Sequence, residues 1–508
     1  MAEETGEKAV WNDNFGVYAI NLGSREEAEK MAGRERIKKF FETEIMEKGS
    51  RVFLNFSPNE TAVKCGLEFA LLKKFDFAPE KNRVQTEFIS ANPTGEMHIG
   101  HGRDAFYGDA LANILSFAGY EVEREYYIND ARESTQIREL GKTVLGKGET
   151  YLTDDLRIKI QDLRIKTDDE REAGYLMAKD IQKDNKRFIE EELKIKFDSW
   201  FSEEEELYGK GEVEKTLRTL KEKNLAYEKD GAVWLKTAEY GDDEDRVLVR
   251  SDGTPSYFLV DLAYHANKFE KRKYDRVIDI WGADHQGHVK RMQAAKKALE
   301  WKGDLEILVG QLVSLKEGGK RKRLSKRRGD VVWLKDLVKD IGPDAARWFF
   351  LEKGVTSHTE FDLDLAKEQS KKNPVYYVQY SHARACAVLN KEQIPIFKEN
   401  RGSSILQDKI GTNLNIQIIN SKHERRLVLK LIQFPEIVED ISKDYQVHHL
   451  VTYIYELAKR FTDFYENVRV LEAETDELKR ARVELVSLLR QILERGLGLL
   501  GISAPEKM

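Results

Sequence analysis

Cysteine is scarce: Cys65 and Cys386 are the only two in 508 residues, which excludes a disulfide framework and suits a reducing compartment. Long apolar runs are missing too. No stretch approaches the roughly 20 residues that a membrane span needs. The acidic start, Met1 to Lys8, has the order of neither a signal nor a transit peptide. A cytoplasmic protein with no membrane partner is the expectation. Positive charge is not in excess either. The net charge of −6 argues against a generally basic nucleic-acid coat and confines any polyanion contact to local patches. What is plentiful is charge of both signs, 34% of residues against about 25% in ordinary soluble domains, and a length sufficient for two to four domains.

The most organised stretch runs from Glu87 to Asp130. Val84, Thr86 and Phe88 alternate with polar residues as a strand should, and Asn92-Pro93-Thr94-Gly95 breaks that strand. Tyr107, Leu111, Ile114, Leu115 and Ala118 then recur at helical spacing, Gly119 is placed to stop the helix, and Val122 to Ile128 reads as a second strand. The pattern predicts a βαβ unit of a parallel sheet. Ligands collect beyond the carboxyl ends of such strands, where helix N-termini present N–H groups. Asn92, His98, His101, Asn129 and Asp130 all fall there. His98 and His101 share a face of the first helical turn, with Gly100 leaving the backbone open to a phosphate. Imidazoles at that place donate to phosphate oxygens during phosphoryl or adenylyl transfer. Two ordinary helix-start histidines are the plain alternative, and no third ligand stands at metal-binding spacing.

Around this unit, residues 1–84 read as a small α+β accessory domain, with a helix over Glu26 to Glu47, a strand over Val52 to Phe56 and a helix over Thr61 to Phe75. Residues 85–373 form the nucleotide-fold part, interrupted by a charged, mostly helical insertion over 133–250. Within the insertion Asp155-Leu156-Arg157-Ile158-Lys159 recurs as Asp162-Leu163-Arg164-Ile165-Lys166, predicting a local helical duplication. Tyr227 to Leu235 reads as a hairpin turning at Lys229-Asp230-Gly231. Further on, Tyr257, Asp261 and His265 lie four apart on a predicted helix and point one way. Val277 to Trp281 reads as a buried strand that ends in Gly282-Ala283-Asp284-His285. After a strand over Leu305 to Val309, seven of the nine residues from Lys320 to Arg328 are basic, between Gly318-Gly319 and Gly329. A glycine-hinged basic loop of this kind closes over a triphosphate or touches a nucleic-acid backbone. From 374 to 508 the periodicity is wholly helical, predicting a separate bundle. Tyr376, Tyr377, Tyr380, His382 and Arg384 near its start offer stacking and phosphate contacts to RNA.

With these stretches quoted, the chain resembles the class I aminoacyl-tRNA synthetases, specifically the arginyl-tRNA synthetase family, over nearly its whole length. His98-Ile99-Gly100-His101 matches the first signature of the class, and Arg323-Leu324-Ser325-Lys326-Arg327 is similar to the second, Lys-Met-Ser-Lys-Ser. The amino acid is specified by Glu87 to Gly95, Ser251-Asp252-Gly253-Thr254, Trp281 to His285, Tyr376 to Arg384 and the ending Ala504-Pro505-Glu506-Lys507-Met508. Three departures stand out. Arg323 replaces the first lysine of the second signature, which keeps the charge and changes the hydrogen-bond geometry. Arg132 to Gln136 differs from the glycine and nearby glutamine usual after Asn129-Asp130-Ala131. The accessory domain is short for the family, which bears on its usual contact with the tRNA elbow.

The resemblance implies an α/β protein: a Rossmann-type catalytic domain, a helical anticodon-binding domain and a small α+β N-terminal domain. It implies ATP as a substrate with Mg²⁺ and no prosthetic group, L-arginine and tRNA(Arg) as partners, and a monomer. His98, His101, Lys326 and Arg323 are the implied catalytic residues. Glu87, Tyr257 and Asp261 would surround the guanidinium, with Ser90 and Asn92 at the α-amino end, since planar guanidinium pairs well with carboxylates. ATP would meet Gly95, Gly100, Asp284, His285, Leu324, Ser325 and Lys326 besides the two histidines, and tRNA would meet Tyr376, Tyr380, Arg384 and Met508. A pocket of this polarity rejects analogues without editing, so the insertion is expected not to be an editing domain. A small-molecule nucleotidyltransferase and a non-catalytic RNA-binding relative are the rival readings.

Overall fold

The computed structural model describes residues 10–12, 17–22, 24–48, 51–322, 332–391, 416–419 and 421–508. The basic loop residues Arg323, Leu324, Ser325 and Lys326 lie outside the described residues.

Five parallel strands make the central sheet: β1 (Arg83–Glu87), β2 (Glu121–Ile128), β3 (Ser199–Ser202), β4 (Arg276–Gly282) and β5 (Asp304–Gly310), in the order β5-β4-β1-β2-β3. The chain leaves β1 toward β2 and β3, then returns to lay β4 on β1's other side. The switch point therefore lies between β1 and β4, where a crevice opens beyond the carboxyl ends. Helix α1 (Ile99–Ala118) joins β1 to β2 and stops at Gly119, whose φ of 115° only glycine adopts cheaply. Its middle lies so close to β1's extension that a Cβ on Gly108 would sit 2.2 Å from Phe88 Cγ.

Helix α2 (Glu170–Glu191) belongs to the insertion, as do the strands Ala226–Lys229, Ala232–Leu235 and Arg246–Val249, which form a small antiparallel sheet. The predicted hairpin is there, turning at Asp230 (φ 53°) and Gly231 (φ 73°). The predicted duplication is not helical in its second copy: the helix Asp154–Leu163 ends at left-handed Arg164 (φ 44°), which breaks the backbone ladder inside the repeat. Helix α3 (Tyr257–Ala266) continues through a wide turn, Asn267–Lys271, and packs over the sheet.

A second expectation fails in the N-terminal region. The helix predicted over Glu26 to Glu47 is two short helices, Arg25–Ala32 and Glu35–Phe40, followed by the strand Phe41–Lys48. Phe41, Thr43 and Ile45 alternate with charged residues, and pairing of that strand with Arg51–Pro58 outweighs the charged, helix-like composition. The helix predicted over Thr61 to Phe75 spans Glu60–Ala70.

Beyond residue 373 the described residues form helices and connecting turns, among them α4 (Pro374–Lys391) and α5 (Asp476–Leu499). This bundle is bonded to the nucleotide fold through α1. Tyr107 donates to the Tyr445 carbonyl, Asn113 Nδ2 donates to the Leu499 carbonyl at 3.2 Å, and Arg347 bridges Asp109 (2.7 Å) and the Leu500 carbonyl (3.2 Å). Among the described residues no helix is long and apolar enough to cross a membrane.

Candidate active site

β1 ends at Glu87, and the chain then takes two consecutive left-handed residues, Ile89 (φ 70°) and Ser90 (φ 38°). For a β-branched residue that backbone is costly and needs outside support. Support comes from three bonds: Ser90 Oγ donates to Glu87 Oε1 (2.9 Å) and accepts from the Tyr127 N–H (3.1 Å), and Asn129 Nδ2 donates to the Ser90 carbonyl (3.0 Å). The Ser90 hydroxyl is thus committed to the loop, while Asn92 stands exposed in the crevice. The Gly95 carbonyl accepts from Asn185 of α2 at 3.2 Å.

His98 caps α1. Its Nδ1 accepts the Gly100 N–H at 3.1 Å, and His101 Nδ1 accepts the His98 N–H at 3.1 Å, with the rings stacked at 3.8 Å. Because each Nδ1 accepts, each neutral ring carries its proton on Nε2. A Cβ on Gly100 would lie 2.9 Å from His98 Cε1, so the glycine makes room for the capping ring before it makes room for any phosphate. The backbone around His98 bonds to the segment that follows the basic loop: Ile99 N–H to the Val332 carbonyl at 3.0 Å and Leu334 N–H to the Met97 carbonyl at 2.9 Å.

At the end of β4, Asp284 and His285 stand exposed. Asp104, one turn along α1, was not singled out by sequence; burial and, secondarily, Asp284 push its carboxyl up to about 7. Among the described residues no three His, Cys, Asp or Glu side chains gather as a metal site.

Beneath the crevice the sheet carries a row of acids. Register places Glu125, Glu87 and Asp279 side by side on β2, β1 and β4, and one segment, α3 with its following turn, supplies their partners. Lys268 Nζ, fully buried, donates to Glu87 Oε2 and Asp279 Oδ1, each at 2.7 Å, and lies 4.1 Å from the centre of the Tyr264 ring. His265 bonds Asp279 Oδ2 at 2.8 Å and the Asp261 carbonyl at 2.7 Å. Arg272 and Tyr264 meet Glu125. The predicted line of Tyr257, Asp261 and His265 is real, but it runs from rim to core: Tyr257 is 50% exposed and His265 is 2% exposed. Between them, burial and nearby Glu87 and Asp279 raise the Asp261 carboxyl to about 7, against the opposing pull of His265 and Lys268. Lys268 was missed because a lone lysine in a charged sequence carries no local signal; only the register shows its target.

On α4, Tyr376, Tyr380 and Arg384 follow one another at four-residue spacing, each partly exposed, and the Arg384 guanidinium lies 4.2 Å from the centre of the Tyr465 ring. Tyr377, by contrast, donates to Thr462 Oγ1 at 2.7 Å and belongs to the bundle. The chain end is held on the same helix by Gln379 to the Ser503 carbonyl (2.9 Å) and His382 Nδ1 to the Pro505 carbonyl (2.9 Å), with Met508 exposed by 52%.

A nucleotide-type sheet with a histidine-capped helix at its switch point, joined to a helical bundle, is the build of a class I aminoacyl-tRNA synthetase. Residues 67–140 and 147–384 match the family described as tRNA synthetases class I (R), catalytic domain, and residues 378–508 match the DALR anticodon binding domain. The chain is similar to the arginine–tRNA ligase of Syntrophotalea carbinolica, 43% identical over 84% of this chain and 78% of that one. It is 42% identical to that of Carboxydothermus hydrogenoformans over the same shares. In fold it is similar to the Thermus thermophilus arginyl-tRNA synthetase, with a TM-score of 0.71 at 22% identity over 95% of this chain and 91% of that one. The chain belongs to the arginine–tRNA ligase family.

Proposed function

We propose that the chain joins L-arginine to tRNA(Arg) in the cytoplasm, as a monomer, in two steps. Arginine's carboxylate attacks the α-phosphorus of ATP, displacing pyrophosphate, and the 2′-hydroxyl of the terminal adenosine then attacks the arginyl carbonyl, displacing AMP. The observation that carries this reading is the pairing at one switch point of stacked His98 and His101 with the acid-lined pocket of Glu87 and Asp261. The Nε2–H groups of the two histidines donate to phosphate oxygens as charge shifts onto the leaving pyrophosphate. ATP enters as its Mg²⁺ complex, with Gly95, Gly100, Asp284 and His285 lining its place and Arg323, Leu324, Ser325 and Lys326 closing on the pyrophosphate.

Asp261 and Glu87 receive the guanidinium, Tyr257 closes the rim, Asn92 meets the α-amino end and Ser90 braces its loop. The chain divides into an accessory part (1–84), a catalytic part (85–373) whose insertion (133–250) does not edit, and an anticodon-binding part (374–508). Tyr376, Tyr380, Arg384 and Met508 contact the tRNA.

The decisive experiment is arginine-dependent ATP–pyrophosphate exchange, with and without tRNA(Arg). Exchange with arginine that requires the tRNA is expected. Exchange driven by another amino acid would overturn the assignment. Tight tRNA binding with no exchange would instead establish the non-catalytic RNA-binding reading.

A further inference from the structure

Beyond the carboxyl ends of β4 and β5 the sheet has a bare floor. Gly282 and Gly310 are register partners there, so no side chain rises from either strand. Each glycine is overlain instead by a carboxylate from elsewhere. A Cβ on Gly282 would lie 2.8 Å from Asp284 Oδ1, and a Cβ on Gly310 would lie 2.6 Å from Asp104 Oδ1. Asp284 comes from the turn after β4 and stands in solvent, whereas Asp104 comes from α1 and is 9% exposed. The two carboxylates lie within electrostatic reach of one another across the open backbone.

Among the described residues the Asp104 carboxyl closes no hydrogen bond and no ion pair, while Lys268 serves Glu87 and Asp279, Arg272 serves Glu125 and Arg347 serves Asp109. Its neighbour in sequence is spoken for. The Arg103 guanidinium, 1% exposed, donates to the Gln311 carbonyl at 3.1 Å and to the Gly354 carbonyl at 2.6 Å. A buried carboxylate without a partner is costly, and no contact within the fold offsets that cost. A carboxylate accepts and does not donate, so a ligand at this place must bring O–H or N–H groups.

Position narrows the choice. α1 rises about 1.5 Å per residue, so Asp104 stands about 4.5 Å along the helix from His101, at the phosphate end of the proposed ATP place. In ATP the group next to the α-phosphate is the ribose, and the amine of the base lies a ring further on. A vicinal diol brings two O–H donors, one for each acid. We propose that Asp104 is a specificity-determining residue for the nucleotide, its carboxylate receiving one ribose hydroxyl of ATP while Asp284 receives the other. This rests on reading the crevice as the ATP site. It gives the histidine-capped helix a second task, which is to hold the sugar one turn beyond the phosphates, and it gives Gly310 the task of leaving room for the acid.

The test is arginine-driven pyrophosphate exchange in the presence of tRNA(Arg), with ATP, 2′-deoxy-ATP and 3′-deoxy-ATP, for the whole protein and its Asp104→Ala, Gly310→Ala and Asp284→Ala variants. The parent is expected to prefer ATP over both deoxynucleotides. Asp104→Ala should raise the KM for ATP roughly 10- to 100-fold and leave the KM for one deoxynucleotide at its parental value, so that the preference against that analogue disappears and the other persists. The arginine KM should stay where it was. Gly310→Ala places a methyl group where Asp104 Oδ1 lies, so it should weaken the same preference, and it carries the test if Asp104→Ala does not fold. Asp284→Ala should erase the complementary preference. Parental preferences in both Asp104→Ala and Gly310→Ala would overturn the inference and leave Asp104 as a filler of the space above Gly310. Loss of the preference for ATP over inosine triphosphate instead would move the carboxyl to the amine of the base and overturn the ribose assignment. No arginine-driven exchange by the parent would overturn the ATP-site reading and this inference with it.

Discussion

His98 Nδ1 accepts the Gly100 N–H at 3.1 Å, and that bond makes the residue a helix cap in addition to the phosphate-binding role proposed for its Nε2. The two roles separate by substitution. Asparagine caps helices well but cannot present an N–H where imidazole Nε2 stands. His98→Asn should therefore leave urea stability within about 0.5 kcal/mol while pyrophosphate exchange falls about 10²- to 10³-fold. His98→Ala should lose the same rate and a further ~1 kcal/mol of stability. A rate loss in the alanine variant alone would mean that the cap, and not the ring, matters. Lys268 behaves differently because it touches two buried acids and no solvent. Lys268→Met leaves Glu87 without its cation and Asp279 with His265 alone, so a loss of about 3–5 kcal/mol is expected in urea unfolding.

At the scale of the element, α4 shows how one helix divides its faces. Tyr377 is bonded inward to Thr462, and Gln379 and His382 hold the chain end, whereas Arg384 lies over Tyr465 with its edge in solvent. Arg384→Ala should thus raise the tRNA KM several-fold and flatten its dependence on salt, with the KM for ATP unchanged. Tyr377→Phe should cost about 1 kcal/mol of stability and leave the tRNA KM alone. Elements whose apolar period matched their burial were legible beforehand: β1, α1, β2, the Asp230-Gly231 hairpin and the bundle helices. Phe41–Lys48 was not, because its partner strand decides its state. The repeated Asp-Leu-Arg-Ile-Lys was not either, because identical residues meet a left-handed break at Arg164. In the site, His98 and His101 announce themselves by spacing on a helix start. Lys268 does not: its meaning comes from Glu87 and Asp279 on neighbouring strands, which it reaches from the turn after α3.

Across the whole molecule, the unneutralised acids link folding, protons and substrate. Asp261 and Glu203 have carboxyls raised from 3.8 to about 7 and from 4.5 to about 8. They are faced by Glu87, Asp279, Asp130 and Glu204, with His265 and Lys268 drawing Asp261 down and the Tyr127 hydroxyl drawing Glu203 down. A raised carboxyl means that the folded chain holds more protons than the unfolded chain throughout that window. Stability is therefore fully present below about pH 4 for these two groups and declines as pH rises toward about 8, where the loss is complete. Each contributes a slope on the order of 1.4 kcal/mol per pH unit inside its window. Arginine bound at the proposed pocket opposes the trend, because its guanidinium favours the ionised acid and stabilises the fold by mass action. Melting curves from pH 5.5 to 8.5 should accordingly show a Tm that falls with pH in the free protein, and a Tm gain from saturating arginine that grows over the same range. Calorimetry at pH 7 in buffers of different ionisation enthalpy should show protons released on binding. A Tm gain that is flat with pH, with no proton release, would mean that the two carboxyls are already ionised in the empty pocket and that their burial is compensated from within the protein.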